Sequence, residues 1–327
     1  MTGVPLATRI GLLRQHGNFS QAYSVTFQAG LEHFGDERGF IAYKKVWGTA
    51  LVLSDPLAPK QNHSDLIGRF LQENRDAAFW QVSRPVAELL ASLGFFVNEL
   101  GPETRIDLAT YTFEGGGKRH LRNATNRMVK QGYNTRESSI SSVGANKVQA
   151  VSDAWRQSRQ IRNREVCFLT RPLVIDAEPD TRAFFTFDPH GELAAFGIFD
   201  PVYESGEVVG YGSQHNRYRP DCDLLVQVAT RRSAIEKFQA EGKKWLFLGL
   251  SPFADVQDKD FRHDWWVRKA FKRCYGNSLF NRHVYSLQGH ATHKRQFRGT
   301  QAQTYYAFNR RPSVPRLFKL LWACNIF

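Results

Sequence analysis

His215 is the first candidate for moving a proton. It stands in Ser213-Gln214-His215-Asn216-Arg217, just after an apolar run of strand length. A strand end that faces a cleft lets a general base reach a substrate. A lone histidine is more often structural, so a packed core role stands beside the catalytic one. No Gly-x-Ser-x-Gly elbow and no His-Glu-x-x-His pattern occurs, which argues against a serine or zinc hydrolase. The four cysteines, Cys167, Cys222, Cys274 and Cys324, form no CxxC pair and have no histidine at metal-ligand spacing. Neither a disulfide framework nor a zinc site is expected, no cofactor is called for, and a reducing cytoplasm fits best.

Cations are the second chemical resource. Lys plus Arg number 44 against 31 Asp plus Glu, a net charge of +13. A field of that sign concentrates polyanions such as tRNA or anionic lipid. The charge gathers in three blocks. Gly115-Gly116-Gly117 leads into Lys118, Arg119 and Arg122, where backbone N–H groups at a helix start can approach a phosphate. A plain solvated helix gives the same pattern, because the full phosphate-loop motif is missing. Arg156, Arg159, Arg162 and Arg164, with Arg171 nearby, form the second block. In the third, residues 262–273 (RHDWWVRKAFKR), Trp265, Trp266 and Phe271 interleave with Arg268, Lys269, Lys272 and Arg273. Such a segment can stack on bases, meet a lipid headgroup layer, or bury its aromatics as one helix face.

The elements that must position these groups alternate between strand and helix. Short apolar runs at 40–43, 50–53, 78–82, 104–108, 182–187, 194–199, 208–213 and 245–250 read as strands. Helical periodicity covers 65–74, 84–93, 118–131, 147–160 and 223–240. The same order of elements recurs, which predicts two α+β subdomains, residues 1–135 and 145–327, divided within the polar stretch 133–145. Apolar residues make up 42% of the chain, enough for a sizeable core. The N-terminus does not read as a signal peptide, and no run approaches the ~20 apolar residues of a membrane span. The tail 316–327 mixes Leu317, Phe318, Leu320, Leu321, Trp322, Ile326 and Phe327 with Arg316 and Lys319. It suits either an interfacial segment or a helix docked on the core.

Taken together, several segments resemble one family, the C-terminal transferase domain of the phosphatidylglycerol lysyltransferases and alanyltransferases. Phe40-Ile-Ala-Tyr43 followed by Leu53-Ser-Asp-Pro56 resembles its strand pair ending in Gly-Asp-Pro, with Ser54 in place of Gly. Phe79-Trp-Gln-Val82, Leu93-Gly-Phe95 and Ile106-Asp-Leu108 follow in the family's order. Gly117-Lys118-Arg119, Leu121-Arg122, Asn126 and Gly132 match its Gly-Lys helix, and Leu248-Gly-Leu-Ser-Pro252 its Leu-Gly-Met-Ala-Pro. Lys294, Phe297 and Tyr305 or Tyr306 resemble its closing residues. The likeness implies two acetyltransferase-like (GNAT) subdomains joined through the Gly-Lys helix. It also implies transfer of an amino acid from aminoacyl-tRNA to an anionic phospholipid. The family's multi-helix membrane half is not read here, so lipid flipping is not implied. One departure stands out: the acidic residue and Arg expected near Tyr211-Gly-Ser-Gln-His215 do not appear there, and Pro-Asn-Gly becomes Pro220-Asp221-Cys222.

Acyl transfer needs a nucleophile, a route for its proton and stabilisation of the oxyanion, and a backbone N–H can supply the last. A dedicated nucleophilic side chain is not required, since orienting the two substrates carries much of the rate. The proton-handling candidates on this basis are His215, Asp221 and Asp223. The substrate-binding set is Lys118, Arg119, Arg122, Asn126, Tyr211, Ser251 and Lys294, with no metal ligand. The expected setting is the cytoplasm, with peripheral contact to the inner face of the membrane through the tail. Two other readings remain open at this point. One is an N-acyltransferase using acyl-CoA or acyl-carrier protein, although no Gln/Arg-x-x-Gly-x-Gly/Ala loop precedes 223–240. The other is a non-catalytic RNA- or lipid-binding module.

Overall fold

The computed structural model describes residues 3–159, 164–283, 286–310 and 314–326. Arg162 of the second basic block, Gln160 at the end of the expected helix 147–160, and Phe327 of the tail lie outside the described residues.

The first pass of the chain begins with two helices, α1 (Leu6–His16) and α2 (Ala22–Phe27). Three antiparallel strands follow: β1 (Glu32–Asp36), β2 (Gly39–Val46) and β3 (Thr49–Leu53). Helix α3 (His63–Glu73) crosses to β4 (Ala77–Val82), which runs parallel to β3. Helix α4 (Arg84–Ser92), β5 (Phe96–Asp107) and α5 (Arg119–Lys130) complete the pass.

The second pass repeats this plan. Strand β6 (Asn134–Glu137) and helices α6 (Ile140–Val143) and α7 (Ala145–Gln157) lead into the antiparallel strands β7 (Arg182–Phe187), β8 (Leu193–Glu204) and β9 (Glu207–Tyr218). Helix α8 (Val226–Ala240) crosses to β10 (Trp245–Leu250), parallel to β9. Helices α9 (Trp265–Gly276), α10 (Ser278–His283) and α11 (Leu287–Arg295) precede β11 (Thr300–Phe308), and α12 (Val314–Ala323) follows.

Among the described residues eleven strands join one sheet, in the order β1-β2-β3-β4-β11-β5-β10-β9-β8-β7-β6. The two passes exchange their closing strands. β5 pairs with β10 of the second pass, β11 pairs with β4 of the first, and the two exchanged strands pair with each other at the centre. The passes are therefore recognisable by topology but share the middle of a continuous sheet.

Local composition explains these elements. β4 (AAFWQV) is buried at every position, as a strand flanked by β3 and β11 and covered on both faces must be. On α3, Leu66, Ile67 and Phe70 form one stripe against the sheet, and on α5 Leu121, Ala124 and Met128 form one that packs chiefly on α8. β5 continues through Gly101-Pro102, which reads as a breaker in the sequence. Gly101 has φ +139°, and a Cβ there would lie 2.2 Å from the Ser251 carbonyl oxygen, so only glycine lets the two backbones approach this closely. Helix α12 docks on the core: Leu320, Ala323 and Cys324 are buried in a cluster with Trp80, Tyr306 and Phe308.

Candidate functional site

The parallel pair β9/β10 holds register for only three residues, Trp245↔Gly210 to Phe247↔Gly212. Beyond that point β9 continues along β8, while β10 bulges between Phe247 and Gly249 and follows β5. Gly249 makes the bulge with φ +80°, a left-handed conformation that favours glycine. A gap therefore opens between Ser213 on one strand and Leu248–Ser251 on the other.

Three elements direct side chains to the mouth of this gap. From α11, the Lys294 ammonium donates to the Leu250 carbonyl. From β5, Glu103 stands opposite Leu250 in the ladder, and its carboxylate accepts from the Ser20 hydroxyl. From α8, the Arg231 guanidinium reaches the His293 Nε2 and, at 3.4 Å, the Ser213 Oγ. His290, His293 and Lys294 share one face of α11 because they stand three and four residues apart.

The electrostatics of this cluster are unusual. Desolvation, reinforced by Arg231 and only partly offset by Glu103, pushes the Lys294 ammonium down to about 7 from its ordinary 10.5. Glu103 is raised by desolvation, against the pull of its Ser20 hydrogen bond and of Lys294. His290 is pushed down to about 3, and His293 well below the usual range, by burial and the surrounding cations. A lysine and a carboxyl both displaced toward neutrality at one strand end are suited to passing a proton between them.

The expected site residues distribute as follows. Ser251 and Lys294 meet at the gap; Ser251 is buried and its N–H donates to the Pro102 carbonyl at 2.8 Å. Tyr211 is buried beneath the gap, stacked on Phe238 of α8 at 4.3 Å. His215 is buried, and burial with the Arg217 and Arg171 guanidiniums holds its pKa well below the usual range. It lies on the face of β9 shared with Arg217, which reaches Ser152 of α7, whereas Asn216 and Tyr218 point to the α8 face. The structure thus does not bring His215 to Lys294. Asp221 is exposed and paired with Arg219 at 3.1 Å. Asp223 precedes α8 rather than lying in it. It accepts from the Leu225 N–H at 3.0 Å and pairs with Arg127 of α5 at 3.1 Å.

The basic blocks also separate. Lys118 lies over the Tyr111 ring at 3.6 Å and donates to the Thr112 carbonyl. Arg122 binds the Phe113 and Gly115 carbonyls, so these two cations fold the glycine loop back on the helix. Arg119 and Asn126 are exposed on α5, and Arg298, just beyond α11, donates to the Gly117 carbonyl at 3.1 Å. The second block is largely engaged internally: Arg156 pairs with Asp153 and Glu165, and Arg171 with Asp200 and Glu178. In the third block, Trp265, Arg268, Lys269, Lys272 and Arg273 line an open cleft along α9.

Glu103, Arg231 and Ser20 carry no sequence motif; only the exchange of β5 into the second pass brings Glu103 to β10. The helical spacing of His290, His293 and Lys294 is a readable signal. Among the described residues no group of His, Cys, Asp or Glu could hold a metal ion, and no helix is long and apolar enough to cross a membrane.

The signature of the family described as "Phosphatidylglycerol lysyltransferase, C-terminal" matches residues 10–308. A phosphatidylglycerol lysyltransferase of Bacillus subtilis (strain 168) is 24% identical over 287 residues, 85% of this chain and 32% of that protein. One from Staphylococcus epidermidis is 22% identical over 250 residues, 72% of this chain and 29% of its own. The chain thus spans about a third of the length of these curated relatives. Two solved structures share the fold. L-PGS from Bacillus licheniformis superposes with a TM-score of 0.79 at 19% identity, covering 99% of both chains. The C-terminal domain (DUF2156) of a putative lysylphosphatidylglycerol synthetase from Agrobacterium fabrum gives 0.75 at 18%, covering 97% of this chain and 94% of that one.

Proposed function

The chain belongs to the family of phosphatidylglycerol lysyltransferase C-terminal domains, and from that premise we propose that it transfers an aminoacyl group from aminoacyl-tRNA to the hydroxyl of a membrane lipid such as phosphatidylglycerol. In this reaction the lipid oxygen forms an ester bond to the acyl carbon, and the bond from that carbon to the tRNA ribose oxygen breaks. The proton of the lipid hydroxyl ends on the ribose oxygen. The Glu103–Lys294 pair at the gap carries the reading: one member takes the hydroxyl proton and the other returns it. The C-terminal subdomain, residues 145–327 and most of the second pass, would hold the reacting groups. The first, within 1–135, would supply Glu103 and the α5 cations.

Polyanion recognition is assigned to the basic loop before α5 and to the α9 cleft. Lys118, Arg119, Arg122 and Arg298 crowd one loop, and the α9 cleft adds four more beside Trp265. Membrane contact is assigned to α12 with the β2–β3 hairpin tip. There Trp47, Phe318 and Trp322, 58%, 40% and 50% exposed, pack on one another, and Lys319 donates to the Trp47 carbonyl. Aromatic rings beside cations suit an anionic headgroup layer, and a tRNA donor places that layer on the cytoplasmic side. The test is turnover: labelled aminoacyl-tRNA and labelled acyl-CoA offered separately, with a total lipid extract as acceptor. Label passing from aminoacyl-tRNA into the lipid fraction supports the proposal. Label passing only from acyl-CoA overturns it.

A further inference from the structure

Arg231 is 6% exposed and stands on the buried face of α8, in line with Val228, Ala234, Ile235 and Phe238. Among the described residues it has no carboxylate partner: its contacts are a histidine, a serine hydroxyl and the Phe297 ring at 5.2 Å. Its Nε is buried without any hydrogen-bond partner. The neighbouring charges are of the same sign, Lys294 above all. A buried guanidinium stays protonated and normally demands an anion.

The groups around it point the same way. Ser213 and Asn216 lie on β9 just past the point where β10 departs. Asn216 shares its face with Tyr218, which packs against Val226 and Ala229 of α8, so its amide turns toward the helix that carries Arg231. Both the Oδ1 and the Nδ2 of Asn216 are buried and unpartnered. A guanidinium with a spare N–H, an amide with spare donors and a serine hydroxyl thus line one side of the gap; the carboxylate at its mouth, Glu103, accepts from Ser20 and, among the described residues, pairs with none of the three.

We propose that the β9–β10 gap is an oxyanion site, in which Arg231, Asn216 and Ser213 receive a carboxylate carried by the transferred acyl group or the phosphate of the acceptor headgroup. This rests on the acyl-transfer reading for the identity of the ligands, but the site itself is defined by the unpaired buried groups. It makes a cationic side chain a poor occupant, because an ammonium in the gap would face Arg231 directly. A carboxylate or phosphate would instead take the charge-assisted bonds that the guanidinium fork offers.

The test uses the full chain and calorimetric binding of three probes: glutamate α-amide, sn-glycerol 3-phosphate and lysine amide. At least one anionic probe is expected to bind and lysine amide not to. The anion that binds identifies its source, acyl group or headgroup. Arg231→Met is expected to weaken that binding by about 10- to 100-fold, the span of one or two charge-assisted hydrogen bonds. Melting of the unliganded variant is expected to rise, since a buried unpaired charge has been removed. Should Arg231→Met fail to fold, Arg231→Gln is measured instead, and the comparison of probes on the unmodified chain stands by itself. Lysine amide binding as well as both anions, no anion binding at all, or anion binding unchanged in the variant would each overturn the site. No turnover is needed, so a chain that binds the anion yet transfers nothing counts against the proposed reaction and not against the site.

Discussion

Replacing Lys294 by Met should stabilise the folded chain at neutral and mildly acidic pH while abolishing transfer. The folded-state pKa of about 7 lies below the ordinary 10.5, so the folded state binds its proton more weakly than the unfolded one. Below pH 7 both states are protonated and the full penalty of holding the ammonium in the gap is present. As pH rises from 7 toward 10.5 the folded state has released its proton and the unfolded state has not, so the penalty fades and stability rises. The whole shift corresponds to about 5 kcal/mol. The side chain is only partly buried, and solvent screening brings the expected gain to about 2–3 kcal/mol at pH 6.5. Glu103, raised by the same desolvation, titrates in the opposite sense: its contribution falls as pH rises above the ordinary carboxylate range. Carrying Glu103→Gln in both the reference and the Lys294→Met chain removes that opposing trend. Urea unfolding of the two at pH 6.5, 8 and 9.5 provides the assay. The gain should shrink steadily with pH and vanish near 10. A loss of stability at pH 6.5, or a gain that does not change with pH, would show that the ammonium is well solvated and that the gap is not the desolvated site described.

Glu103→Gln alone should lower transfer by about 10²–10⁴-fold with binding of the lipid acceptor retained, as loss of a proton-handling group does; steady-state kinetics at fixed aminoacyl-tRNA separates the two effects. Replacing Arg119 with Ala, together with Arg268 and Lys269, should leave melting unchanged and flatten the salt dependence of tRNA binding by roughly one unit of slope for each phosphate no longer neutralised. Lys118 and Arg122 are poorer probes, because they also hold the glycine loop. Deleting the chain after Pro315 should cost several kcal/mol, about 3–5 for burial of the order of Leu320 and its neighbours, and is read by thermal melting. The triple change Trp47, Phe318 and Trp322 to Ser should instead leave the core standing and remove co-sedimentation with anionic liposomes.

Much of the scaffold is legible in the sequence because it follows local periodicity. The strand at 245–250 and the helix at 84–93 need only apolar runs and a closing glycine, and both appear within a residue of their expected ends. Residues 300–308 do not read as a strand because TQAQ begins exposed and polar; antiparallel pairing with β5 along the whole segment, and of Tyr305–Phe308 with β4, makes it one. The same exchange hides Glu103, whose neighbours in sequence belong to the first pass while Leu250 and Lys294, beside it in space, belong to the second. Lys294 is marked by resemblance, and the structure supplies its surroundings. For the tail, an interfacial segment and a docked helix stand as alternatives in the sequence. α12 has one face of each kind: Leu320 and Ala323 are buried, while Phe318 and Trp322 are exposed. A composition shared by both faces does not separate them.

The central claim is tested most directly by single-turnover transfer of label from aminoacyl-tRNA to phosphatidylglycerol vesicles, run on the unmodified chain and on Lys294→Met. Several aminoacyl-tRNAs should be offered, acidic and cationic. Label is expected in a new ester-linked lipid with the unmodified chain and at background with the variant. Equal transfer by both chains, or none by the unmodified chain from any aminoacyl-tRNA while acyl-CoA serves as donor, would contradict the account.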